Sequence, residues 1–454
     1  MSCAPESDIP RCEGPASLSQ GLRTGLRHVA ISRTHSGDRR GRHSRSPTLE
    51  SLLFLVMVIV GFGDLPGKAS LGPISLGGML TILIVLALCG GLLLCRSFPK
   101  LLLLRLSPNF AFLAWLGFRS IWAPPDFYGV QQILVQLVFS LCLVLGGLVA
   151  ARNPSGAVHL INSAVRWTAR PALGLVGISL ITNGVEGPWY IGPRIIALLG
   201  IVLISWYFTR LYRGMPHSWV PISVWLGVII LSDSRTASAV AVFLLLLVTL
   251  LKAWHRRSGI LPAVGLVFFV AAGTAVAFSR IPQFREHMLS GDTGHVGINV
   301  NGRVEAWQMV VASARESPIV GKGVGSSGAL LASLLAGFDH PHNDYLRIWH
   351  DLGLIGLGLF VLTLVSWASI LARAWYRAEK QGVPVDYMEL AGLLALLSMM
   401  LAMVTDNPVV YTTVMAPMGI LVGGGLGTAA HTRVRRLSIP HTKTWPSSRH
   451  HQVS

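Results

Sequence analysis

The sequence predicts an all-α polytopic membrane protein of about 12 transmembrane helices with one extracytoplasmic helical loop. Three observations predict it. The 454 residues are 52% hydrophobic and only 13% charged, with a mean hydropathy of +0.58, whereas soluble domains carry about 25% charged residues. Apolar runs of roughly 17–25 residues recur along the chain, each long enough to cross a bilayer core as a helix. Basic residues collect in alternate loops between those runs, as cytoplasmic loops do. Helix is the expected element because lipid offers backbone N–H and C=O groups no outside partner.

Residues 1–50 carry eight arginines, several Ser and Gly, and no apolar periodicity. They read as a disordered basic cytoplasmic tail, without the continuous apolar core of a signal peptide. The transmembrane domain is expected over 51–430, with a second basic tail over 431–454. The spanning runs lie near 51–66, 71–94, 108–123, 129–150, 169–184, 190–208, 217–232, 236–251, 259–279, 352–372, 388–405 and 409–427. The third contains Arg119 and the fifth contains Pro171, so these are the least regular.

Charge orients the chain. With the N-terminal tail inside, the even-numbered runs exit into the cytoplasm. Each is followed by a basic cluster, from Arg96, Lys100 and Arg105 after the second to Arg433, Arg435 and Arg436 after the last. The opposite loops are short and poor in Lys and Arg. The exception is 280–351, where acids balance the bases. Both termini are therefore expected inside. The +17 formal charge is loop charge facing anionic lipid and calls for no nucleic acid. Of the five cysteines, Cys3 and Cys12 fall in the tail, and Cys89, Cys95 and Cys142 lie in or beside spans. They form neither a disulfide framework nor a zinc spacing.

Three polar sites are expected on the outer face. Arg235 starts the eighth span, in Leu231-Ser-Asp-Ser-Arg-Thr-Ala-Ser238. A helix start offers unpaired N–H groups and partial positive charge, so arginine there suits an anion. The plainer readings are snorkelling to the interface or pairing with Asp233. Arg303 stands in the first turn of an amphipathic helix over 301–314, on which Val304, Trp307, Val310, Val311 and Ala314 follow helical spacing. The dipole disfavours a cation there, so Arg303 answers either to Glu305 or to an anionic ligand.

The third site is the polar run Phe338-Asp-His-Pro-His-Asn-Asp-Tyr-Leu-Arg-Ile-Trp-His350, set directly before an apolar span. A helix from Pro341 would put His342, Tyr345, Leu346 and Trp349 on one face. His342 is a natural general base; a packing or capping role is the alternative. His340, His342, Asp344 and His350 suggest a metal cluster less well, because two of them flank a proline and no HExxH arrangement exists. The glycine-rich Pro318–Gly328 lacks P-loop spacing and reads as a flexible turn between outer helices.

The order Ser234-Arg235, Gly302-Arg303 with Trp307, Pro318 and Gly321-Lys-Gly-Val-Gly325, then His342-Asn343 with Leu346 and Gly353-Leu-Ile-Gly356 resembles the O-antigen ligase and polymerase superfamily. The likeness covers roughly 185–425. It implies a GT-C-like glycosyltransferase of the bacterial inner membrane, its active site facing the periplasm. Its donor would be a glycan on undecaprenyl pyrophosphate. Its acceptor would be a lipid-linked repeat unit or a lipid A core sugar. No cofactor and no metal are implied. By the resemblance, Arg235 and Arg303 contact the pyrophosphate, His342 activates the acceptor hydroxyl, and Asn343 and Tyr345 orient it or bind sugar. Arg280 and Arg285 are spare anion contacts. The compact outer loop inclines the reading towards a polymerase for O-antigen or exopolysaccharide, with membrane lipids and polysaccharide-assembly proteins as partners. A lipid-linked glycan flippase is the competing class, since broken helices and charged residues mark transporters too. Against it, few charges fall inside spans, Arg119 and Arg194 being the exceptions. A scaffold role has no specific residue in its favour.

Overall fold

The computed structural model describes residues 47–63, 70–71, 74–95, 97–184, 188–256, 300–335, 340–381 and 387–438. The expected ninth span and Arg280 and Arg285 lie outside the described residues, as do 1–46 and 439–454. The helices are α1 Pro47–Val60, α2 Leu76–Leu93, α3 Lys100–Trp122, α4 Phe127–Arg152, α5 Pro154–Asn183, α6 Pro193–Tyr212, α7 Trp219–Leu231, α8 Arg235–Arg256, α9 Val300–Ala314, α10 Ser326–Leu334, α11 Asp344–Lys380, α12 Met388–Ala402 and α13 Thr412–Ser438. A two-residue antiparallel ladder, Ser70–Leu71 with Ile74–Ser75, precedes α2. Among the described residues, seven helices are long and apolar enough to cross a membrane: α2, α3, α4, α6, α8, α11 and α13. The described residues are thus predominantly helical, as suits a multi-pass membrane protein. Helices α1, α7 and α12 are apolar but shorter.

Capping residues explain several starts. Asp126 accepts from Gly129 N at 2.8 Å to open α4. Asn153 accepts from Gly156 N at 3.0 Å to open α5, with Pro154 at its first position. These are side chains that satisfy otherwise orphaned N–H groups. With that cap, α5 starts well before the expected 169 and runs through Pro171 without interruption.

The bundle is built around α13. Its apolar window is 100% buried and that of α6 is 94% buried, against 17% for α2, which faces outward. Glycines make the centre possible. Gly419, Gly423 and Gly427 recur every fourth residue along one face of α13 and lie on the backbone of α4 at Phe139, Leu143 and Gly147. Lipid gives no hydrophobic drive between helices, so close backbone approach and dispersion carry the association. Within α13, Arg105 of α3 donates to the carbonyls of Leu426 at 2.8 Å and Ala429 at 3.2 Å, which ties the two helices together.

The opposite end carries the short helices. The backbone of α11 breaks at Gly353 (φ 70, ψ −175). This frees N–H and C=O groups that pair with the glycine-rich segment: Lys322 N to His350 O at 2.9 Å, Gly323 N to Asp351 O at 2.9 Å, and Leu354 N to Pro318 O at 2.9 Å. The expected flexible turn is therefore a fixed one. Gly321, Gly323 and Gly325 all take positive φ there, which side-chain-bearing residues adopt with difficulty. Buried Arg119 of α3 adds a bond to Gly321 O at 2.9 Å, so it is an anchor rather than a stray charge in a span.

Candidate active site

Several of the helix starts meet at this end. Arg194 is the second residue of α6, Arg235 the first of α8, and Arg303 lies in the first turn of α9. His342 stands two residues ahead of α11, and Thr405, Asp406 and Asn407 connect α12 to α13. The connection ties them together. Arg303 Nη1 donates to Thr405 O at 3.1 Å, and Thr236 of α8 shares a hydrogen bond with Thr405 Oγ1 at 2.8 Å. Asn407 Oδ1 lies 3.1 Å from His342 Nδ1. Arg194 Nε lies 3.8 Å from Asp406 Oδ2, and its Nη1 lies 3.2 Å from His342 Nδ1. The structure thus brings His342 and Arg303 to one connection, with Arg235 close enough to act on Arg303 by charge.

His342 is not on a helix face. Its φ is 50, and α11 begins only at Asp344, because Asn343 takes the cap position and accepts from Leu346 N at 2.9 Å. The left-handed backbone costs about 1–3 kcal/mol and persists only where surroundings impose it. Here Trp307 of α9 donates its indole N–H to Pro341 O and holds the turn. His340 instead sets its ring edge-on to Tyr128. Of the two histidines, His342 faces the arginines.

Electrostatics keep the His342 ring neutral. Burial, then Arg194, then Arg303, lower its pKa from 6.5 to about 3, with His340 adding to the effect and the Asn407 hydrogen bond opposing it. Since Asn407 Oδ1 only accepts, Nδ1 carries the hydrogen and Nε2 the lone pair. Burial and the Arg194 charge lower the pKa of Arg303, as does Arg235, while Asp406 raises it. Burial raises the pKa of Asp406, opposed by Arg194, by the Asn407 N–H and by Arg303. Among the described residues, Arg303 Nε and Asn407 Nδ2 are buried donors in the site with no protein partner. Unmet buried donors cost about 1–3 kcal/mol each, so they call for an acceptor.

The other expected site residues make the following contacts. Asn343 is the cap just described, and Tyr345 donates its hydroxyl to Met400 O at 2.9 Å. His350 and Asp351 form a buried hub. His350 Nε2 meets Ser313 Oγ at 3.0 Å and Nδ1 meets Asp351 Oδ1 at 3.0 Å. Asp351 accepts from Gly325 N at 3.0 Å and Ser327 N at 2.9 Å, capping α10. Asp344 pairs with Arg347 at 2.9 Å. The histidines and acids of the polar run therefore point to separate partners, and among the described residues no three metal-ligating side chains converge. On α9 the buried stripe is Ala306, Val310 and Ala314, while Val304 is 43% exposed. The helix packs on α10 and α11 with its Arg303–Trp307 side turned to the site.

Residues 220–361 match the family model described as O-antigen ligase. This segment is similar to that family. It contains Arg235, Arg303 and His342, and leaves Arg194, Asp406 and Asn407 outside. No curated protein matches the chain.

The residues that sequence reasoning missed are those outside the segment. Arg194 reads in sequence as a charge inside a span, yet it heads α6 and touches the imidazole. Asp406 and Asn407 occupy the short gap between two apolar runs. Their signal was an acid and an amide ahead of Pro408 at a helix–helix junction, which marks a turn but not its neighbours.

Proposed function

We propose that the protein is a metal-independent membrane glycosyltransferase. It moves a glycan from undecaprenyl pyrophosphate to an acceptor sugar hydroxyl on the extracytoplasmic face, in O-antigen or exopolysaccharide assembly. The carrying observation is that three arginines stand at helix starts, Arg194 and Arg303 acting on a neutral histidine and Arg235 acting on Arg303. Each works against its own helix dipole, which repels a cation, so an anion is the natural counterpart. Guanidiniums bind phosphate oxygens through a planar fork and stay charged at any biological pH. As the bond from the anomeric carbon to the diphosphate breaks, negative charge grows on the leaving oxygens. Arg235 and Arg303, already placed, stabilise it by several kcal/mol, a task that elsewhere falls to a divalent ion. His342 Nε2 accepts the acceptor hydroxyl's proton, a contribution of about 10²–10⁴-fold. Asn343 and Tyr345 hold the His342 turn against α11 and α12.

In this reading the chain follows a GT-C-like arrangement of about 12 spans in the bacterial inner membrane. Both termini are cytoplasmic. The basic end with Arg105, Arg152 and Arg210 faces inward, which puts the His342 end outside. We favour a polymerase over a ligase to lipid A core, on the compact outer loop. The test is purified protein given lipid-linked repeat units alone. Chain elongation is expected. Transfer only when lipid A core is added makes it a ligase, and passage of the lipid-linked unit across vesicles without bond cleavage makes it a flippase.

A further inference from the structure

Arg194 and Asp406 have no assigned step in the scheme so far, and the resting geometry poses a problem they answer. Arg194 Nη1 lies 3.3 Å from His342 Nε2 as well as 3.2 Å from Nδ1. An atom almost equidistant from both ring nitrogens lies over the ring face and not along either lone pair. With Nδ1–H directed at Asn407 Oδ1, the lone pair is on Nε2. The ring that should accept the hydroxyl proton is covered by a cation.

Arg194 is also the less firmly held of the two arginines nearest the ring. Its side chain is 30% exposed, and its carboxylate contact, Nε to Asp406 Oδ2, is 3.8 Å, beyond hydrogen-bond length. Arg303 is pinned to a backbone carbonyl at 3.1 Å. Among the described residues, the groups facing His342 include Arg194 of α6, Arg303 of α9, Asp406 and Asn407 of the α12–α13 connection, and His340 of its own turn.

We propose that Arg194 couples donor binding to release of the base: a diphosphate seated at Arg235 and Arg303 draws the Arg194 guanidinium onto its own oxygens and so uncovers His342 Nε2 for the acceptor hydroxyl. The inference rests on the diphosphate reading above. Hydrogen bonds from a cation to an anionic oxygen are roughly twice as strong as those between neutral groups, so a phosphate outcompetes an imidazole for the same guanidinium. Asp406 is the place to which Arg194 returns when the product leaves. The anion also offsets the two positive charges that, after burial, do most to keep the ring from protonating. The base becomes competent only with donor present. The step balances: the acceptor oxygen bonds to the anomeric carbon, its proton goes to Nε2, and the electron pair of the breaking C–O bond leaves with the diphosphate, held by three guanidiniums. Arg194 thus contacts the donor directly and governs His342 by leaving it.

The test uses the full-length protein in lipid nanodiscs, with histidine carbon-13 labelled at Cε1 and inorganic pyrophosphate as probe. The His342 resonance is assigned by its loss in His342→Gln. Without pyrophosphate it should not titrate between about pH 5 and 8, the range in which an ordinary histidine does. With saturating pyrophosphate its midpoint should rise into that range, by at least about one pH unit, a tenfold gain in proton affinity. In Arg194→Gln the midpoint should already be raised without the anion and move less when it is added. Pyrophosphate binding, confirmed by calorimetry, with a silent His342 resonance overturns the coupling, and so does absence of binding. Should Arg194→Gln fail to fold, the wild-type comparison with and without pyrophosphate decides alone. Glycan transfer measured in parallel separates the two ideas. Transfer without the ring response leaves the function standing and removes the coupling. The ring response without transfer does the reverse.

Discussion

Gly353→Ala tests the link between the kink of α11 and the placement of His342. Gly353 has φ 70 and ψ −175, a region essentially confined to glycine, and a side chain forced there costs about 1–3 kcal/mol. A Cβ at this position would also fall on the backbone of Ile319 and Val320. Backbone does not swing aside as a side-chain tip can, so the turn and α11 must separate. That endangers Leu354 N to Pro318 O at 2.9 Å and Ile355 N to Ile319 O at 3.2 Å, at about 1 kcal/mol each. Together the loss is about 3–5 kcal/mol. Gly358 lies in the same helix with open space around it, and Gly358→Ala should be neutral or slightly stabilising. The assay is thermal unfolding of both variants in one detergent, with glycan transfer measured below the transition. Gly353→Ala should unfold at clearly lower temperature and transfer poorly, because the α11 start that carries His342 shifts. Equal unfolding temperatures for the two variants would refute the claim that this backbone contact holds the site.

Arg235→Lys and Arg303→Lys should each lower kcat/KM by about 10²–10³, since lysine keeps the charge but loses the planar fork; activity within threefold of wild type in a transfer assay contradicts the fork. His342 adds a pH dependence of stability. Its ring stays neutral in the folded protein down to about pH 3, while the unfolded chain takes up a proton near 6.5. The unfolded state therefore binds more protons between those values, and stability falls as pH drops through that window. His342→Gln should flatten that part of a stability–pH curve, and an unchanged slope would show that the ring is not buried neutral. Asp351→Ala removes the caps on Gly325 N and Ser327 N and the partner of His350, and should cost about 2–4 kcal/mol in unfolding.

Apolar length and composition made the helices legible, since a residue in lipid has few choices of backbone structure. The placement of Arg235 and Arg303 at helix starts was legible for the same reason: a cation beside the positive end of a helix stands out in an apolar chain. Boundaries were less so. The cap at Asn153 draws α5 far upstream of its apolar run, and the turn before Asn343 keeps His342 off the helix that the periodicity of Tyr345, Leu346 and Trp349 suggested. The Pro318–Gly328 segment looked mobile because glycines do, yet its freedom is consumed by pairing with the broken backbone at Gly353.

By itself the sequence determined that this chain lives in a bilayer as helices, and that its polar residues gather in a few places along those helices. Both follow from transfer energies that each residue carries wherever it sits. Which helix starts become neighbours was decided only in three dimensions, by glycine faces such as that of α13 on α4, because contact between spans depends on shape and not on polarity. Arg194, Asp406 and Asn407 join His342 through that packing alone. Nothing local to any of them encodes the meeting.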